Sequence, residues 1–264
     1  MPRRFSIMSA STTFADFGLD RAKHFVPATP AGHVIGDMII LRERDDRFIL
    51  VGRAPTANST RFQAAIGKWR VRLTHDPRSD SYEASGSIGG SFVSDDIADY
   101  CVNPFELGYG FYIGWKSEFI GKEALAKMAD GPDRRKITFE WNREDVLKVI
   151  ASGFADATPY KWIGFPLANY AASNADMVMQ GDRMVGLSMF SGYSFNERCM
   201  LSLGVVAPEV SKRDVLTLRR GEPDDTAKTS TERHQQAGIR VPVGPTPYAR
   251  EARENCADSW RTRC

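Results

Sequence analysis

Three residues of this chain carry side chains that could take part in chemistry: an aspartate, a histidine and an arginine. Asp37 begins the apolar run DMIIL, His24 lies in the stretch DRAKHF, and Arg250 ends the stretch PTPYAR. A carboxylate can accept hydrogen bonds or stabilise positive charge, a histidine can relay a proton, and the planar fork of an arginine suits a carboxylate. Each also has a purely structural interpretation: a turn aspartate held by backbone amides, a half-buried histidine, and a surface arginine with Arg253 as an equal candidate.

Aromatic residues form a second group that could contact a flat ligand. Tyr109, Phe111 and Tyr112 lie close together in NPFELGYGFYIGW, and Tyr193 lies in SGYS. Aromatic side chains can pack against a flat ring, although on a strand they more often belong to the core. We therefore expect Phe111 in the core and keep Tyr109 and Tyr193 as candidate ligand contacts.

The charge balance of the chain argues against two classes of partner. Its 264 residues include 35 Lys and Arg against 33 Asp and Glu, a net charge of +2, which gives no reason to expect nucleic acid or a membrane as partner. The hydrophobic fraction of 42% is enough for a folded core, and no apolar run is long enough to span a bilayer. The charge balance is compatible with a small anionic ligand, because the pocket for such a ligand needs only a few local cations.

The spacing of cysteines and histidines favours a cytoplasmic protein without a metal site. Cys101, Cys199, Cys256 and Cys264 form no CxxC pair, which indicates reduced thiols in preference to disulfides or zinc ligands. The four histidines share no spacing typical of a metal site. The opening MPRRFSIMSASTTF has two arginines without a long apolar stretch behind them, which argues against a signal peptide.

The first half of the chain predicts short strands and helices. HVIGDMIIL and FILVGR flank a charged turn and predict a β-hairpin. Asn58 is placed to cap a helix through Ile66, and a strand is expected at residues 69–73. The stretch HDPRSDSYEASGSIGGSF then predicts a loop or a boundary, and residues 94–100 predict a helical turn.

The middle of the chain predicts a strand, a helix, a strand and a second helix. NPFELGYGFYIGW is expected to form a buried strand because it is aromatic and apolar. Residues 119–128 carry their apolar side chains on one face of a helix. Residues 134–141 alternate as a strand, and Asn142 is placed to cap a helix with carboxylates in its first turn.

The chain after Asp176 is rich in short strands. DMVMQ and RMVGLSMF are joined by Gly181-Asp182, which is typical of a hairpin turn. CMLSLGVV, DVLTLRR and GIRVPV add further strands, a pattern that indicates a small antiparallel barrel or sandwich. GEPDDTAKTSTERHQQ is polar and predicts an exposed loop. We therefore expect an α+β portion over residues 1–130 and a β-rich portion over residues 131–264.

Three segments resemble the folate-binding family of glycine-cleavage T-proteins. GHVIGDMIILRERDDRFILVGRA is similar to a family block with a Gly-rich turn, an Asp and two strands. NPFELGYGFYIGWKSEFIGKEAL resembles a strand that leads into an F-I-G-K/R-E-A-L helix, and VGLSMFSGYSFNERCMLSLGVV resembles part of the C-terminal barrel. DRAKHFVPATP and SYEASGSIGGSFVSDDI look closer to the aromatic O-demethylase branch of the family.

The resemblance implies a partial T-protein-like folate-binding domain followed by an antiparallel β-barrel domain, with tetrahydrofolate as cofactor. It implies one-carbon transfer, most closely the O-demethylation of a methoxylated aromatic acid such as vanillate or syringate. Asp37 corresponds to the aspartate beside the reactive edge of the pterin, and His24 stands where the family often has a pocket tyrosine. Arg250 matches an arginine that helps to hold folate, and Tyr109 and Tyr193 are expected near the ligand.

The chain also departs from the family pattern. It is expected to be shortened at the N-terminus and at a junction near residues 78–82, where a segment whose glutamate binds the pterin has no counterpart. The tyrosine-rich substrate segment is missing as well, so a second chain could complete the pocket. Alternatives to the O-demethylase therefore stay open: an aminomethyltransferase of the glycine-cleavage type, a non-catalytic folate-binding or interaction protein, or an inactive shortened relative.

Overall fold

The structure, a computed structural model, describes residues 17–34, 37–44, 47–53, 88–116, 118–163, 173–212, 214–223 and 232–254. The chain divides into two compact units. The first unit comprises Met1–Gly86 and Asp96–Asp133, and the second comprises Ser87–Asp95 and Arg134–Cys264. A short segment from the N-terminal half of the sequence therefore belongs to the C-terminal unit.

A three-stranded antiparallel sheet begins the first unit. Its strands β1 (Arg21–Phe25), β2 (Asp37–Arg44) and β3 (Arg47–Arg53) are neighbours in chain order. β2 and β3 form the predicted hairpin, which is confirmed, because two apolar runs flank a short charged turn. Phe25 and Ile40 are almost fully buried, at 2% and 1% exposure, and give this sheet its core face.

The aromatic segment after Asn103 forms turns, so the predicted buried strand is wrong. The Asn103 side chain accepts hydrogen bonds from the backbone N–H groups of Phe105 and Glu106, both at 3.0 Å. The Glu106 carboxylate accepts in return from the N–H of Asn103 at 2.8 Å. These local hydrogen bonds occupy backbone N–H groups that would otherwise pair with a neighbouring strand. A short 3-10 helix follows at Gly110–Tyr112. The predicted core position of Phe111 is also wrong, because this side chain is 75% exposed.

The first α-helix begins three residues later than the sequence pattern predicts. α1 spans Lys122–Met128, whereas the pattern predicts a start at residue 119. Gly121 precedes the helix with a φ of 86°, a left-handed conformation that interrupts a helix and favours glycine. Leu125 of α1 is fully buried and packs with Ala28 and Ile113 in a small apolar cluster.

A closed antiparallel barrel of six strands forms the centre of the second unit. The strands of this unit are, in chain order, β4 (Ile88–Gly89), β5 (Arg135–Glu140), β6 (Ser173–Asn174), β7 (Asp176–Gln180), β8 (Arg183–Ser194), β9 (Cys199–Val206), β10 (Val215–Arg220) and β11 (Ala237–Gly244). The order around the barrel is β10, β11, β5, β9, β8 and β7, while β4 and β6 pair separately in parallel. The prediction of an α+β chain with a C-terminal antiparallel barrel is therefore confirmed.

Alternation of apolar and polar residues explains why these strands close into a barrel. Along β10, Leu216 and Leu218 are buried, and Val215, Thr217 and Arg219 are exposed. Trp141 and Phe139 lie in the same core, where the indole N–H of Trp141 donates to the Ser202 hydroxyl at 2.9 Å. That hydrogen bond satisfies the polar atom of a ring that is otherwise buried among apolar side chains.

A helix beside the barrel confirms the predicted cap at Asn142. α2 spans Arg143–Ser152, and the Asn142 side chain accepts from the N–H of Asp145 at 3.1 Å. The guanidinium of Arg240 on β11 donates to the Asp145 carboxylate at 2.9 Å and ties the helix to the barrel. In the part of the chain that the structure describes, no helix has the length and apolar character needed to cross a bilayer.

Most other elements agree with the sequence pattern. The predicted helical turn is a 3-10 helix at Ile97–Tyr100, the predicted strand over residues 134–141 is β5, and Gly181-Asp182 joins β7 to β8. The helix predicted from Asn58 and the strand predicted at residues 69–73 lie outside the described residues.

We expect Gly121→Ala to destabilise the protein more than Gly108→Ala. Both glycines have a positive φ, 86° and 75°, so alanine costs about 1–2 kcal/mol at either position. A Cβ atom at Gly121 would also lie 2.5 Å from the carbonyl oxygen of Thr29, whereas one at Gly108 would meet nothing within 4 Å. The loss of unfolding free energy at Gly121 should therefore reach about 3 kcal/mol in urea titrations. Equal losses for the two variants would contradict the close approach to Thr29.

Candidate functional site

His24 lies at the centre of an aromatic group in the first unit. It belongs to β1, and its cross-strand partner is Ile39 of β2. Its ring meets Tyr109 and Tyr112 edge-on, with ring centroids 5.1 and 5.2 Å away and interplanar angles of 81° and 70°. Edge-to-face packing of this kind fixes the orientation of a ring. Two of the residues singled out in the sequence, His24 and Tyr109, are therefore in direct contact.

The loop that carries the two tyrosines is held by its own backbone. The N–H of Tyr109 donates to the carbonyl of Pro104 at 2.7 Å, and the N–H of Tyr112 donates to the carbonyl of Tyr109 at 2.9 Å. Gly108 permits the reversal with a φ of 75°. Tyr112 remains 40% exposed and contacts the exposed ring of Phe111, with centroids 4.1 Å apart. The group therefore offers flat apolar surface next to hydroxyl and imidazole groups that can form hydrogen bonds.

Asp37 is close to His24 along the sheet. It is the first residue of β2 and pairs with Arg53 of β3. Ile39, the cross-strand partner of His24, is only two residues further along β2. The side chain of Asp37 lies outside the part of the chain that the structure describes, so its role stays a prediction.

A cavity of about 540 Å³ lies between α2 and the barrel in the second unit. Ile150 of α2 lines one side, and Trp141, Tyr193 and Met200 line the other. Tyr193, which the sequence analysis singled out, thus borders this cavity. Its ring also meets Phe195 edge-on, with centroids 5.0 Å apart.

Two side chains at or beside this cavity, Cys199 and Tyr248, have raised pKa values. Glu140 accepts a hydrogen bond from the hydroxyl of Tyr248 at 2.6 Å. Burial, and then this carboxylate, raise the pKa of Tyr248, so its hydroxyl remains a donor across the usual pH range. Burial, followed by the charges of Glu140 and Glu197, also raises the pKa of the Cys199 thiol. The cavity therefore holds a carboxylate beside a neutral thiol near neutral pH. Sequence analysis missed Glu140 and Tyr248, because no motif marks them.

Arg250 begins the short helix α3 (Arg250–Glu254) at the C-terminal end of the described chain. Its guanidinium pairs with the Glu254 carboxylate at 2.7 Å, and its side chain is 82% exposed. An exposed pair within one helix contributes little stability, so this guanidinium can change partners at small cost. Arg253 instead donates to the carbonyl of Pro247 at 2.9 Å and anchors the preceding loop. Of the two arginines, Arg250 is the better suited to a ligand.

A buried ion pair that the sequence analysis missed closes the barrel. The guanidinium of Arg220 donates to the carboxylate of Asp176 at 2.8 Å, and the two side chains are only 5% and 2% exposed. The backbone N–H groups of Ser91 and Gly221 donate to the same carboxylate at 3.1 and 3.3 Å. The alternation along VLTLRR could have indicated this position, because it places Arg220 in register with the inward leucines.

A second buried polar cluster surrounds Glu222. Its carboxylate accepts from the N–H of Gly90 at 3.1 Å, and the Lys161 ammonium lies 3.3 Å away. His234 Nε2 lies 3.4 Å from the same carboxylate, and His234 Nδ1 lies 2.7 Å from the carbonyl of Glu232. Because a carbonyl only accepts hydrogen bonds, Nδ1 carries a proton in this arrangement.

The prediction that GEPDDTAKTSTERHQQ is an exposed loop holds for Glu232, Arg233 and Gln235 but is wrong for two buried side chains of that stretch. Glu222 is 5% exposed and His234 is 8% exposed. Ion pairing allows charged side chains to be buried, and hydropathy gives no sign of it. Residues 224–231 lie outside the described residues. Within the described ranges, no group of three or more His, Cys, Asp or Glu side chains could hold a metal ion.

Two known enzymes are similar to the chain in sequence. Syringate O-demethylase from Sphingobium sp. strain SYK-6 is 28% identical over 381 positions, which cover 95% of this chain and 82% of that protein. Sesamin methylene transferase from Sinomonas sp. strain No.22 is 31% identical over 196 positions, which cover 69% of this chain and 40% of that protein. No protein-family model matches the chain.

The longer of these alignments contains large gaps. It runs over 381 positions although the chain has only 264 residues, so more than a hundred positions of the syringate O-demethylase face gaps in this chain. The chain is therefore shorter than that relative within the aligned region. The predicted location of the junction, near residues 78–82, lies outside the described residues.

A solved structure has a similar fold. The glycine cleavage system aminomethyltransferase T from Bartonella henselae matches with a TM-score of 0.53, over 92% of this chain and 80% of that one. The two sequences are 11% identical in this match, so the likeness concerns the fold alone.

We expect Glu222→Gln to change how stability depends on pH. Burial opposes ionisation of Glu222, but the N–H of Gly90 and the charge of Lys161 outweigh it and hold the pKa of Glu222 below its ordinary value of 4.5. A carboxyl group whose pKa is lowered by folding stabilises the fold above its unfolded-state pKa and loses this contribution as the pH falls through the folded-state pKa. Stability should therefore fall as the pH decreases below about 4.5, and Glu222→Gln should flatten this decline.

Urea unfolding at a series of pH values measures this effect. At neutral pH, Glu222→Gln should lower the free energy of unfolding by about 2–3 kcal/mol, because the buried ion pair with Lys161 is lost and its ammonium keeps a weaker partner. Glu123→Gln, on the exposed side of α1, removes one carboxylate elsewhere and serves as the control. If the free energy of unfolding fell equally with decreasing pH in wild type and in Glu222→Gln, the stabilising role of the ionised Glu222 would be contradicted.

Proposed function

Because the chain belongs to the folate-binding family of glycine-cleavage T-proteins, we propose that it is a tetrahydrofolate-dependent methyltransferase. The proposed reaction is the O-demethylation of a methoxylated aromatic acid such as vanillate or syringate. The observation that carries the proposal is the similarity to a syringate O-demethylase along 95% of the chain. We place the reaction in the breakdown of methoxylated aromatic acids and, from the cysteine pattern, in the cytoplasm.

The proposed chemistry is a methyl transfer from oxygen to nitrogen. Tetrahydrofolate, when bound, would supply a nucleophilic nitrogen for the methyl group, and the proton lost from that nitrogen would balance the one gained by the phenolate oxygen after the ether C–O bond breaks. Phenolate is a poor leaving group, so the protein must orient the two reactants in line and offer a hydrogen bond to the departing oxygen. The aromatic product would be a phenol such as protocatechuate.

We assign the residues of the first unit to ligand orientation. The rings of His24, Tyr109 and Tyr112 fit a flat ligand, because they combine aromatic surface with polar edges and Tyr112 is 40% exposed. His24 is the proposed hydrogen-bond partner or proton relay for the phenolic oxygen. Asp37 is the proposed carboxylate that accepts hydrogen bonds from ring N–H groups and stabilises positive charge at N5.

We assign Arg250 and Tyr193 of the second unit to cofactor binding. The exposed pair of Arg250 with Glu254 can be exchanged for a carboxylate of folate, which the planar guanidinium can bind through two hydrogen bonds. Tyr193 borders a cavity and presents an aromatic ring for contact with a ligand.

A second candidate function is folate binding without turnover. The observation that favours it is the set of more than a hundred positions of the syringate O-demethylase that face gaps in this chain. Residues that orient the substrate could be among them, in which case a second chain would have to complete the pocket. An aminomethyltransferase of the glycine-cleavage type is supported only by a fold likeness at 11% identity.

Binding and turnover distinguish these functions. Tetrahydrofolate should raise the melting temperature as its concentration passes the dissociation constant, because it binds only the folded chain. With syringate present, methyl transfer should give a demethylated phenol that mass spectrometry detects. Asp37→Asn should lower turnover about 100-fold, and Asp182→Asn, in the exposed turn between β7 and β8, should not.

Each outcome of these assays has a defined meaning. A melting shift without turnover would favour the folate-binding protein over the transferase. Neither a shift nor turnover from a cooperatively folded chain would exclude both functions. A shift that is equally strong in Asp37→Asn, together with full turnover, would remove the role assigned to Asp37.

We expect His24→Phe to separate packing from chemistry at the aromatic group. Phenylalanine has no nitrogen but keeps a ring between Tyr109 and Tyr112, so the edge-on ring contacts should persist and the chain should still melt cooperatively. If His24 gives a hydrogen bond or a proton to the leaving oxygen, turnover should fall about 100-fold or more while tetrahydrofolate binding persists. Turnover equal to that of the wild type would show that His24 is only a packing residue.

A further inference from the structure

The segment Ser87–Asp95, which we name the strap, is bound to the rest of the second unit by buried hydrogen bonds. One of them runs from the N–H of Gly90 to the Glu222 carboxylate at 3.1 Å. The approach is close, because a Cβ atom at Gly89 would lie only 2.6 Å from Glu222 Oε1. Both ends of the strap continue along the chain into the first unit. Glu222 therefore helps to fix a part of the chain that runs from the first unit into the second and back.

Two buried polar atoms next to this hydrogen bond face each other without a partner. His234 Nε2 and Glu222 Oε2 are 3.4 Å apart, and their side chains are 5% and 6% exposed. Among the described residues, neither atom has a hydrogen bond. A water molecule cannot lie between them, because two successive hydrogen bonds span roughly 4.5–6 Å. Buried polar atoms without a hydrogen bond are rare in folded proteins, and each costs free energy.

A single proton on Nε2 would satisfy both atoms. Nδ1 of His234 already carries a proton, because it lies 2.7 Å from the carbonyl of Glu232, which only accepts. In the neutral imidazole with this tautomer, Nε2 has a lone pair and faces a carboxylate that also only accepts. In the imidazolium both nitrogens donate, and both acceptors are in place: the Glu232 carbonyl and the Glu222 carboxylate.

The charges around His234 favour this proton. Among the described residues, the charged groups that face it are the carboxylates of Glu222 and Glu232 and the ammonium of Lys161. The ammonium lies 3.3 Å from the Glu222 carboxylate and 3.0 Å from that of Glu232. Two carboxylates and one ammonium leave a negative charge, which a proton on His234 would balance.

The proton belongs on the histidine in preference to Glu222. Although burial opposes it, hydrogen bonds from a backbone N–H and an ammonium hold the pKa of Glu222 below its ordinary value of 4.5. The carboxylate is therefore ionised near neutral pH. The buried ion pair of Asp176 and Arg220 lies across Gly221 from His234, and its two charges offset each other.

We propose that His234 is a pH sensor for the strap. Uptake of a second proton, on Nε2, lets the imidazolium donate to Glu222 and keeps this carboxylate in place for the N–H of Gly90. Loss of the proton leaves two acceptors facing each other, so Glu222 holds the strap less firmly. The device works near neutral pH, where histidine side chains exchange this proton, and it does not depend on methyl transfer.

Hydrogen–deuterium exchange of the whole chain measures how firmly the strap is held. The amides of Gly90, Ser91 and Phe92 are hydrogen-bonded and report on it, when their exchange is compared with that of the same peptide free in solution. A proton that the folded state binds more strongly stabilises it at low pH, and this contribution is lost as the pH rises. Protection of the strap should therefore fall about ten-fold from about pH 6 to pH 8, because a charged hydrogen bond is lost. Protection of β9 should stay nearly constant.

His234→Gln removes the titrating group and keeps a polar side chain. Protection of the strap should then be independent of pH, whereas His33→Gln, the same substitution in the first unit, should keep the dependence of the wild type. Constant protection in the wild type, or an equal decrease in His234→Gln, would overturn the proposal. A decrease of equal size in β9 would show an effect on the whole unit and would also overturn the role of the strap.

Nitrogen NMR of the wild-type chain, labelled at its histidines, tests the proton itself and does not rely on His234→Gln folding. Both ring nitrogens of His234 should be protonated at about pH 6, and Nε2 should lose its proton as the strap loses protection. Glutamine variants of the other histidines identify the signals by elimination. An Nε2 without a proton at about pH 6 would refute the proposal. Neither experiment needs folate or a substrate, so their outcome is separate from that of the methyltransferase assays.

Discussion

The ion pair between Asp176 and Arg220 is the contact on which the second unit depends most. It joins the start of β7 to the end of β10, and the pairing of these two strands closes the barrel. Two buried charges are tolerated only when each is paired and hydrogen-bonded, and the N–H groups of Ser91 and Gly221 complete the shell of Asp176. The Asp176 carboxylate therefore both joins the two strands that close the barrel and holds the segment Ser87–Asp95, which comes from far earlier in the chain.

Local hydrogen bonds shape the aromatic segment of the first unit. Among the described residues of this unit, the buried apolar cluster around Leu125 is small, and the aromatic segment gains its shape from the side chains of Asn103 and Glu106. Turn geometry therefore decides where Tyr109 and Tyr112 meet the ring of His24. This arrangement leaves aromatic rings such as Phe111 exposed, which a segment folded around a core would have buried. A surface of this kind is available to a ligand.

Sequence patterns could predict what depends on neighbouring residues. Alternation predicted β10, and the position of Asn142 before Glu144 and Asp145 predicted the cap of α2. Apolar composition failed after Asn103, because a side chain there takes the hydrogen bonds that a strand needs. The burial of Glu222 could not be predicted, because its partners Gly90 and Lys161 are distant in the chain.

The candidate site shows the same division between local and distant information. His24 was singled out by likeness to a family and Tyr109 by its aromatic side chain, but only the fold shows that Tyr112 joins them in one group. No motif marks Glu140 and Tyr248 either, since their hydrogen bond joins residues that are 108 positions apart in the chain. Residues with a candidate chemical role are therefore harder to predict from the neighbouring sequence than residues with a packing role.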